Sequence, residues 1–159
     1  MPTPHERLAE LGLAVPQVVP PVAAYQPAVR SGSYVYTAGQ LPMREGSLIV
    51  TGKVGAEVDA DTATECARQC ALNAIAAIGS QVDDLARVRI VKVVAFVAST
   101  PDFTGQPGVA NGASELFGAV FGDLGVHARS AVGVPVLPLD APVEVEVIAE
   151  ILDEAPESA

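Results

Sequence analysis

Residues 87–98 (RVRIVKVVAFVA) limit the possible folds more than any other segment of the chain. Valine, isoleucine and phenylalanine follow one another with little polar interruption, and such residues favour strands. A strand that carries apolar side chains on both faces needs cover on both. The segment therefore predicts a central strand with much of both faces buried.

Two further segments have clear hydrophobic periods. In residues 60–80 the apolar side chains recur with a period of 3.6, which predicts a long helix with acidic residues at its start. In residues 142–151 the period is two: Val143 and its alternate neighbours lie on one face, and Glu144 and Glu146 lie on the other. This pattern predicts a strand with one buried face.

The remaining segments predict shorter elements. They are a helix at 4–12, an irregular proline-rich stretch at 13–24, a hairpin of strands 25–30 and 33–38, a brief strand at 47–50, a Gly/Pro loop at 104–108, a helix at 109–122 and a strand at 129–136. This order predicts an α+β fold, in which a mixed sheet carries both long helices on one face. We expect an N-terminal extension (1–23), one domain (24–152) and a disordered acidic tail (153–159).

Charge and hydropathy disfavour several classes of function. The net charge is −10, and the nine Lys and Arg residues form no basic run, so a nucleic-acid surface is not expected. No apolar run reaches the roughly 18–20 residues that span a bilayer, and the N-terminus lacks a signal-peptide pattern, so we expect a cytoplasmic protein. Half of the residues are apolar. This excess indicates either burial against other subunits or an Ala/Val-rich composition bias.

The cysteines and histidines do not have metal-ligand spacing. Cys66 and Cys70 lie four apart in the predicted long helix, which indicates small buried apolar residues rather than a redox pair. No metal and no cofactor are expected. A triad of Ser130, His127 and Asp140 can be assembled on paper, but any chain of this length allows such a combination.

Arg129, at the start of a predicted strand, is the candidate anion anchor because its planar guanidinium can hold a carboxylate with two hydrogen bonds. It could equally be a solvated residue at a strand end or a salt-bridge partner. Glu144 could activate a water only if its face of the strand is covered, for example by another subunit. Tyr25 is expected to be a packing residue with a solvated hydroxyl, and Asn111 is expected to be a helix N-cap. The alternative is that a pocket lies between these two residues.

Several motifs occur in the order and spacing of a known family. Residues 128–134 (ARSAVGV), Leu137-Pro138 and 143–149 (VEVEVIA) resemble the C-terminal signature of the RidA/YjgF family. Residues 36–42 (YTAGQLP) resemble its second-strand signature. Ala67-Arg68-Gln69 with Asn73, the segment 94–97 and Asp102-Phe103 agree in order. The resemblance covers roughly residues 24–151 and is greatest to the branch described as endoribonuclease or YjgF/chorismate-mutase-like.

The resemblance implies a chorismate-mutase-like fold, a barrel-like homotrimer and ligand clefts between subunits. Members of the family hydrolyse 2-imino and 2-enamino acids to 2-oxo acids and ammonia without a cofactor. By position, Arg129 would bind the substrate carboxylate, and Glu144 would orient or activate water. The backbone carbonyl of Ala131 would hold that water or the imine nitrogen. The cleft would be lined by Tyr25 and Asn111, with Gly39 allowing a close backbone approach.

The sequence departs from the family pattern at three positions. Ala131 stands where many members have Cys, Ala38 where a hydroxyl residue is common, and Gly133 where a larger residue is usual. Three functions are therefore weighed: an imine deaminase, a trimeric carboxylate-binding protein without catalysis, and a ribonuclease. The charge pattern disfavours the ribonuclease, and a dianionic chorismate would need more cations than Arg129.

Overall fold

The structure is a computed structural model that describes residues 1–156. Its helices are α1 (Pro4–Glu10), α2 (Ala60–Gly79) and α3 (Gln106–Phe121), and its strands are β1 (Ala28–Ser31), β2 (Tyr34–Thr37), β3 (Met43–Arg44), β4 (Ser47–Leu48), β5 (Val88–Ala98), β6 (Ala128–Val134) and β7 (Val143–Ile151). Short 3-10 turns lie at Leu85–Arg87, Gly122–Gly125 and Pro138–Asp140. Residues 157–159 of the predicted acidic tail lie outside the described part of the chain. The predicted division into extension, domain and tail stays a prediction.

The predicted α+β fold with a mixed sheet is confirmed. Five strands follow the order β1-β2-β7-β5-β6, and β5 pairs parallel with β6 and antiparallel with β7. The strands β3 and β4 form a separate hairpin that turns at Glu45 and Gly46. Both long helices pack on the same face of the large sheet, α2 over β7 and α3 over β5 and β6. We call the opposite face the open face.

The strand β5 is central, but its two faces differ. On the helix side Ile90, Val93 and Val97 are fully buried. On the open face Val94 and Phe96 are only partly buried. The apolar run predicts that both faces of β5 are buried, but within one chain the open face is only partly covered.

The long helix α2 begins and packs as its sequence predicts. The side chain of Asp59 accepts a hydrogen bond from the backbone N–H of Thr62 (2.7 Å), which caps the helix. Cys66 and Cys70 are fully buried, which confirms their interpretation as core residues. Burial raises the pKa of the Cys66 thiol to about 11. It also raises the pKa of the Cys70 thiol well above its ordinary value, so both thiols stay protonated near neutral pH.

The helix α3 begins at Gln106, three residues before its predicted start, so the interpretation of 104–108 as a loop holds for 104–105 and is wrong for 106–108. Proline fits a first helical turn, where its missing N–H has no partner to lose. The predicted N-cap role of Asn111 is also wrong, because Gly105 occupies that position and Asn111 lies inside the helix. Packing compensates for the glycine-rich sequence: a Cβ on Gly112 would overlap the Thr64 carbonyl of α2.

The N-terminal segment is held at both of its ends. The helix α1 carries a capping box between Thr3 and Glu6, packs on α3, and places Arg7 Nη1 3.3 Å from the carbonyl of Val120. Residues 13–27, which we call the N-terminal strap, have no regular structure. The prolines predict this for 13–24, whereas the strand predicted at 25–30 begins only at Ala28. Within residues 1–156, no helix is both long and apolar enough to cross a membrane.

Candidate functional site

The position of Arg129 follows from the register of β6. Arg129 lies beside Val93 of β5, whose side chain is in the core, so Arg129 points to the helix side of the sheet. Because β6 is an edge strand, the guanidinium reaches across to α3. There it donates hydrogen bonds to Asn111 Oδ1 (2.7 Å), Ser114 Oγ (3.2 Å) and the carbonyl of Pro107 (3.2 Å).

These three bonds orient Arg129 and leave part of its fork free. A guanidinium has five N–H donors, and Asn111, Ser114 and Pro107 use three of them. Among the described residues, neither the Nε–H nor the second Nη2–H has an acceptor, and no carboxylate lies within salt-bridge distance of Arg129. Within the described residues, Arg129 is therefore neither a freely solvated residue at a strand end nor one half of an ion pair. It keeps two donors for a ligand carboxylate.

Ser114 and His127 form a chain of hydrogen bonds that ends at the guanidinium of Arg129. His127 Nδ1 lies 2.6 Å from the carbonyl oxygen of Gly125, which can only accept, so Nδ1 carries the proton in the neutral ring. Nε2 then accepts from Ser114 Oγ at 2.9 Å, and Ser114 in turn accepts from Arg129. The edge of the Phe117 ring packs against the imidazole, with the centroids 5.9 Å apart. We call Arg129, Asn111, Ser114 and His127 the arginine cluster.

Sequence reasoning missed Ser114 and gave His127 no role beyond a triad that could be assembled only on paper. In the structure Ser130 points to the open face, where it accepts from Lys92 Nζ at 3.2 Å, so the triad with His127 and Asp140 does not assemble. A signal was present: positions 111 and 114 lie three apart on one helix and share a face. The spacing shows which residues share that face, but not that the face meets β6.

Glu144 lies on the open face of β7, in register with Phe96. Burial raises the pKa of its carboxyl above the ordinary value, and the negative charge of Glu146 raises it further. A Cβ on Gly39 would collide with the carboxylate of Glu144. Gly39 therefore permits a close backbone approach, as predicted, but here the group that it admits is a side chain of the protein itself.

Arg129 and Glu144 do not meet within one chain. Glu144 is level with Val132 on β6, three residues from Arg129, and β5 lies between the two strands. With the usual spacings of a sheet, the two positions are about 10 Å apart along the strands and about 10 Å apart across them. Their side chains also point to opposite faces, so one small molecule cannot contact both residues of one chain.

The other predicted site residues lie in two places, one beside Arg129 and one at a separate cavity. Ala131 lies two residues after Arg129 on the same face of β6, so of the predicted site residues Asn111 and Ala131 lie on the same side of the sheet as Arg129. Tyr25 and Gly39 instead line a cavity of about 850 Å³ between the N-terminal strap, the β3–β4 hairpin and α2. The Tyr25 hydroxyl accepts from the backbone N–H of Val22 (3.4 Å) and is otherwise close to solvent.

The structure shows the surroundings of two of the three departures from the family pattern. The carbonyl of Ala38 accepts from Gln40 Nε2 at 3.2 Å. A Cβ on Gly133 would press on the side chains of Gln106 and Ser99, so the glycine leaves room for the start of α3.

In residues 1–156, no group of three or more His, Cys, Asp or Glu side chains has the arrangement of a metal site.

Comparisons with known proteins give consistent results. The family model described as Endoribonuclease L-PSP matches residues 16–151. Protein TCP17 of Trypanosoma cruzi is 42% identical over 146 residues, which are 91% of each chain. A 2-iminobutanoate/2-iminopropanoate deaminase of Dermatophagoides farinae is 32% identical over 143 residues, covering 87% of this chain and 94% of the relative. The crystal structure of Atu1372, a protein of unknown function from Agrobacterium tumefaciens, superposes with a TM-score of 0.87 at 42% identity and covers 94% of this chain and 92% of that one.

Proposed function

The chain belongs to the endoribonuclease L-PSP family, which is the RidA/YjgF family that its motifs resemble, and from this premise we propose that it hydrolyses 2-imino and 2-enamino acids to 2-oxo acids and ammonia. The observation that carries the proposal is the oriented guanidinium of Arg129, with two N–H donors left for a substrate carboxylate. The relative from Dermatophagoides farinae, whose name states this activity, supports the same reaction.

In the proposed reaction, water adds to the carbon of the protonated imine. Arg129 binds the carboxylate and so places the adjacent C=N group, and Glu144 takes a proton from the attacking water as the C–O bond forms. Glu144 then returns this proton to the nitrogen, and the C–N bond breaks as the new hydroxyl group loses its own proton, so that one protonated imine and one water give the 2-oxo acid and an ammonium ion. The carbonyl of Ala131 holds the water or the imine nitrogen. Asn111 acts through Arg129, whose guanidinium it contacts directly. These steps use only water and the protein's own groups.

The proposed site needs two copies of the chain, because Arg129 and Glu144 of one copy are separated by the sheet. We therefore propose that a homotrimer forms, in which the arginine cluster of one subunit faces Glu144, Gly39 and Tyr25 of the next. The apolar open face supports such an assembly: Val29, Tyr36 and Val132 lie on it with 54%, 46% and 44% of their surfaces exposed.

A carboxylate-binding protein without catalysis is the second candidate. One observation favours it: the anion anchor is complete within a single chain, whereas the proposed base lies elsewhere. Such a protein would bind a 2-oxo acid through Arg129 without accelerating ammonia release.

The test compares the wild-type protein with Arg129→Ala while an amino-acid oxidase generates imines. A bidentate, charge-assisted pair contributes about 1.5–3 kcal/mol, so we expect roughly a tenfold to hundredfold loss of the enzyme-dependent rate of 2-oxo acid formation. Arg30→Ala, which removes a surface arginine bonded only to the Gly32 carbonyl in the described chain, is the matched control and should keep full activity. Equal rates for wild type and Arg129→Ala would remove the deaminase proposal. Calorimetric binding of a 2-oxo acid without turnover would favour the binding protein.

A further inference from the structure

The cavity of about 850 Å³ beside Gly39 and Tyr25 is far larger than a two- or three-carbon imino acid requires. Pockets of roughly 300–1,000 Å³ usually hold drug-sized ligands. Its wall is mainly apolar and includes Val18 and Val22 of the N-terminal strap, Met43 of β3 and Leu72 of α2. We call this space the strap cavity.

The buried polar residues Gln69 and Asn73 in the wall are already bonded within the chain. Gln69 accepts from Arg44 Nε (3.1 Å) and donates to Asn73 (3.1 Å), and Asn73 donates to the carbonyls of Leu41 (3.0 Å) and Met43 (2.9 Å). In the described residues, every buried side-chain nitrogen or oxygen has a partner. An occupant of the strap cavity would therefore meet mainly apolar surface in its buried part.

Charged groups reach the strap cavity only where the chain is exposed. Arg44 and Glu45 are neighbours of opposite sign on the β3–β4 hairpin, and both are exposed. They give the cavity no net charge. A carboxylate would have no anchor in the apolar part, whereas an alkyl or aryl group would be well accommodated there.

From this arrangement we propose that the strap cavity receives the side chain of the substrate, and that the preferred substrates are 2-imino acids with large apolar side chains, such as those derived from phenylalanine or leucine. The inference rests on the proposed function. It connects to that site through Gly39, which contacts Glu144 on one side and lines the strap cavity on the other. The substrate carboxylate lies on Arg129 of the neighbouring copy, its reacting carbon beside Glu144, and its apolar group under the strap.

The experiment measures kcat/KM for phenylalanine-derived and alanine-derived imines, which D-amino-acid oxidase supplies at equal rates from the two D-amino acids. Wild type should favour the phenylalanine-derived imine at least tenfold, since burial of an aromatic side chain gives discrimination of this order. Met43→Glu and Leu139→Glu each place a charge in the wall of the strap cavity and should bring the ratio close to one. Leu139 is 58% exposed, so its variant tests the proposal even if Met43→Glu does not fold.

The control is Leu11→Glu, which makes the same exchange at a partly exposed leucine outside the strap cavity and should keep the wild-type ratio. An equal or greater wild-type rate with the alanine-derived imine overturns the inference and leaves the proposed function intact. The same holds if the ratio is identical in all four proteins. If wild type hydrolyses neither imine, the proposed function fails, and calorimetry with phenylpyruvate and pyruvate decides the inference. At least tenfold tighter binding of phenylpyruvate, lost in Leu139→Glu, supports it, and equal affinities overturn it.

Discussion

The arginine cluster and the surroundings of Glu144 differ in how much of a site one chain can build. The arginine cluster is closed by contacts between α3 and β6, and three hydrogen bonds hold Arg129 in place. Glu144 lies on the open face, where its carboxylate occupies the space that a Cβ on Gly39 would fill. The anion anchor is therefore preorganised in the single chain, whereas in the assembly that we propose the base would gain its setting from a second copy.

The largest expected effect separates the two regions directly. Gly39→Ala places a methyl group where the Glu144 carboxylate lies, so the carboxylate must move. We expect turnover of imines to fall roughly a hundredfold, the order that a positioned general base contributes. Calorimetric affinity of the arginine cluster for a 2-oxo acid should change little.

Gly118→Ala is the matched control, because nothing lies within 4 Å of the added methyl group, and it should retain turnover. A loss of ligand affinity in Gly39→Ala as large as the loss of turnover would contradict the division into two regions.

The next effect tests how firmly the arginine is held. Ser114→Ala removes an acceptor from Arg129 Nη1 and a donor to His127 Nε2, while Asn111 and Pro107 remain in place. Because the serine positions the guanidinium without touching the substrate, and two other acceptors remain, we expect a loss of about 0.5–1.5 kcal/mol, so KM should rise by a factor of about two to ten with a smaller change in kcat. Steady-state kinetics measure this split.

Ser80→Ala removes a hydroxyl that donates to the Ala77 carbonyl and accepts from Gln81 Nε2, with no bond to the arginine cluster, and should leave KM unchanged. If Ser114→Ala lowers kcat and leaves KM unchanged, the serine takes part in the chemistry rather than in holding the guanidinium.

The smallest effect concerns pH and belongs to Glu144. Its carboxyl must be ionised to accept a proton, and burial together with the charge of Glu146 raises its pKa. Activity should therefore decrease as pH falls through this raised pKa, starting at a higher pH than for an ordinary glutamate. Glu146→Gln removes the neighbouring negative charge, so the pKa of Glu144 should fall and the acid limb of the kcat/KM profile should move to lower pH. An acid limb that stays in place would show that another group controls it.

Local patterns were sufficient to predict the elements that span the core. The 3.6-residue period of 60–80, the apolar run of 87–98 and the alternation of 142–151 lie within one or two residues of α2, β5 and β7. These periods predict the face of Glu144 as well, because alternation separates it from Val143. The start of α3 was mispredicted, since Gly105-Gln106-Pro107 has loop composition although its proline fits a first turn.

The sequence predicts which residue anchors the anion, but not how that residue is oriented or what it contacts. Arg129 stands out through the chemistry of its side chain and the family motif around it. Its orientation does not, because residues 128–134 have no alternation that assigns a face. The links from Arg129 to Ser114 and His127 depend on how α3 crosses the edge of the sheet, which is a matter of tertiary packing. That Arg129 and Glu144 lie on opposite faces likewise required the register of β5, β6 and β7.

The most direct test of the shared site is complementation between two impaired variants. Arg129→Ala lacks the anchor and Glu144→Gln lacks the base, so each alone should keep at most about a tenth of the wild-type rate. Unfolding and refolding an equal mixture would produce mixed trimers, in which about one quarter of the interfaces join an intact Arg129 to an intact Glu144. We predict recovery of about a quarter of the wild-type rate of imine hydrolysis. A mixture no more active than the separate variants, although mixed trimers have formed, would contradict a site built by two copies of the chain.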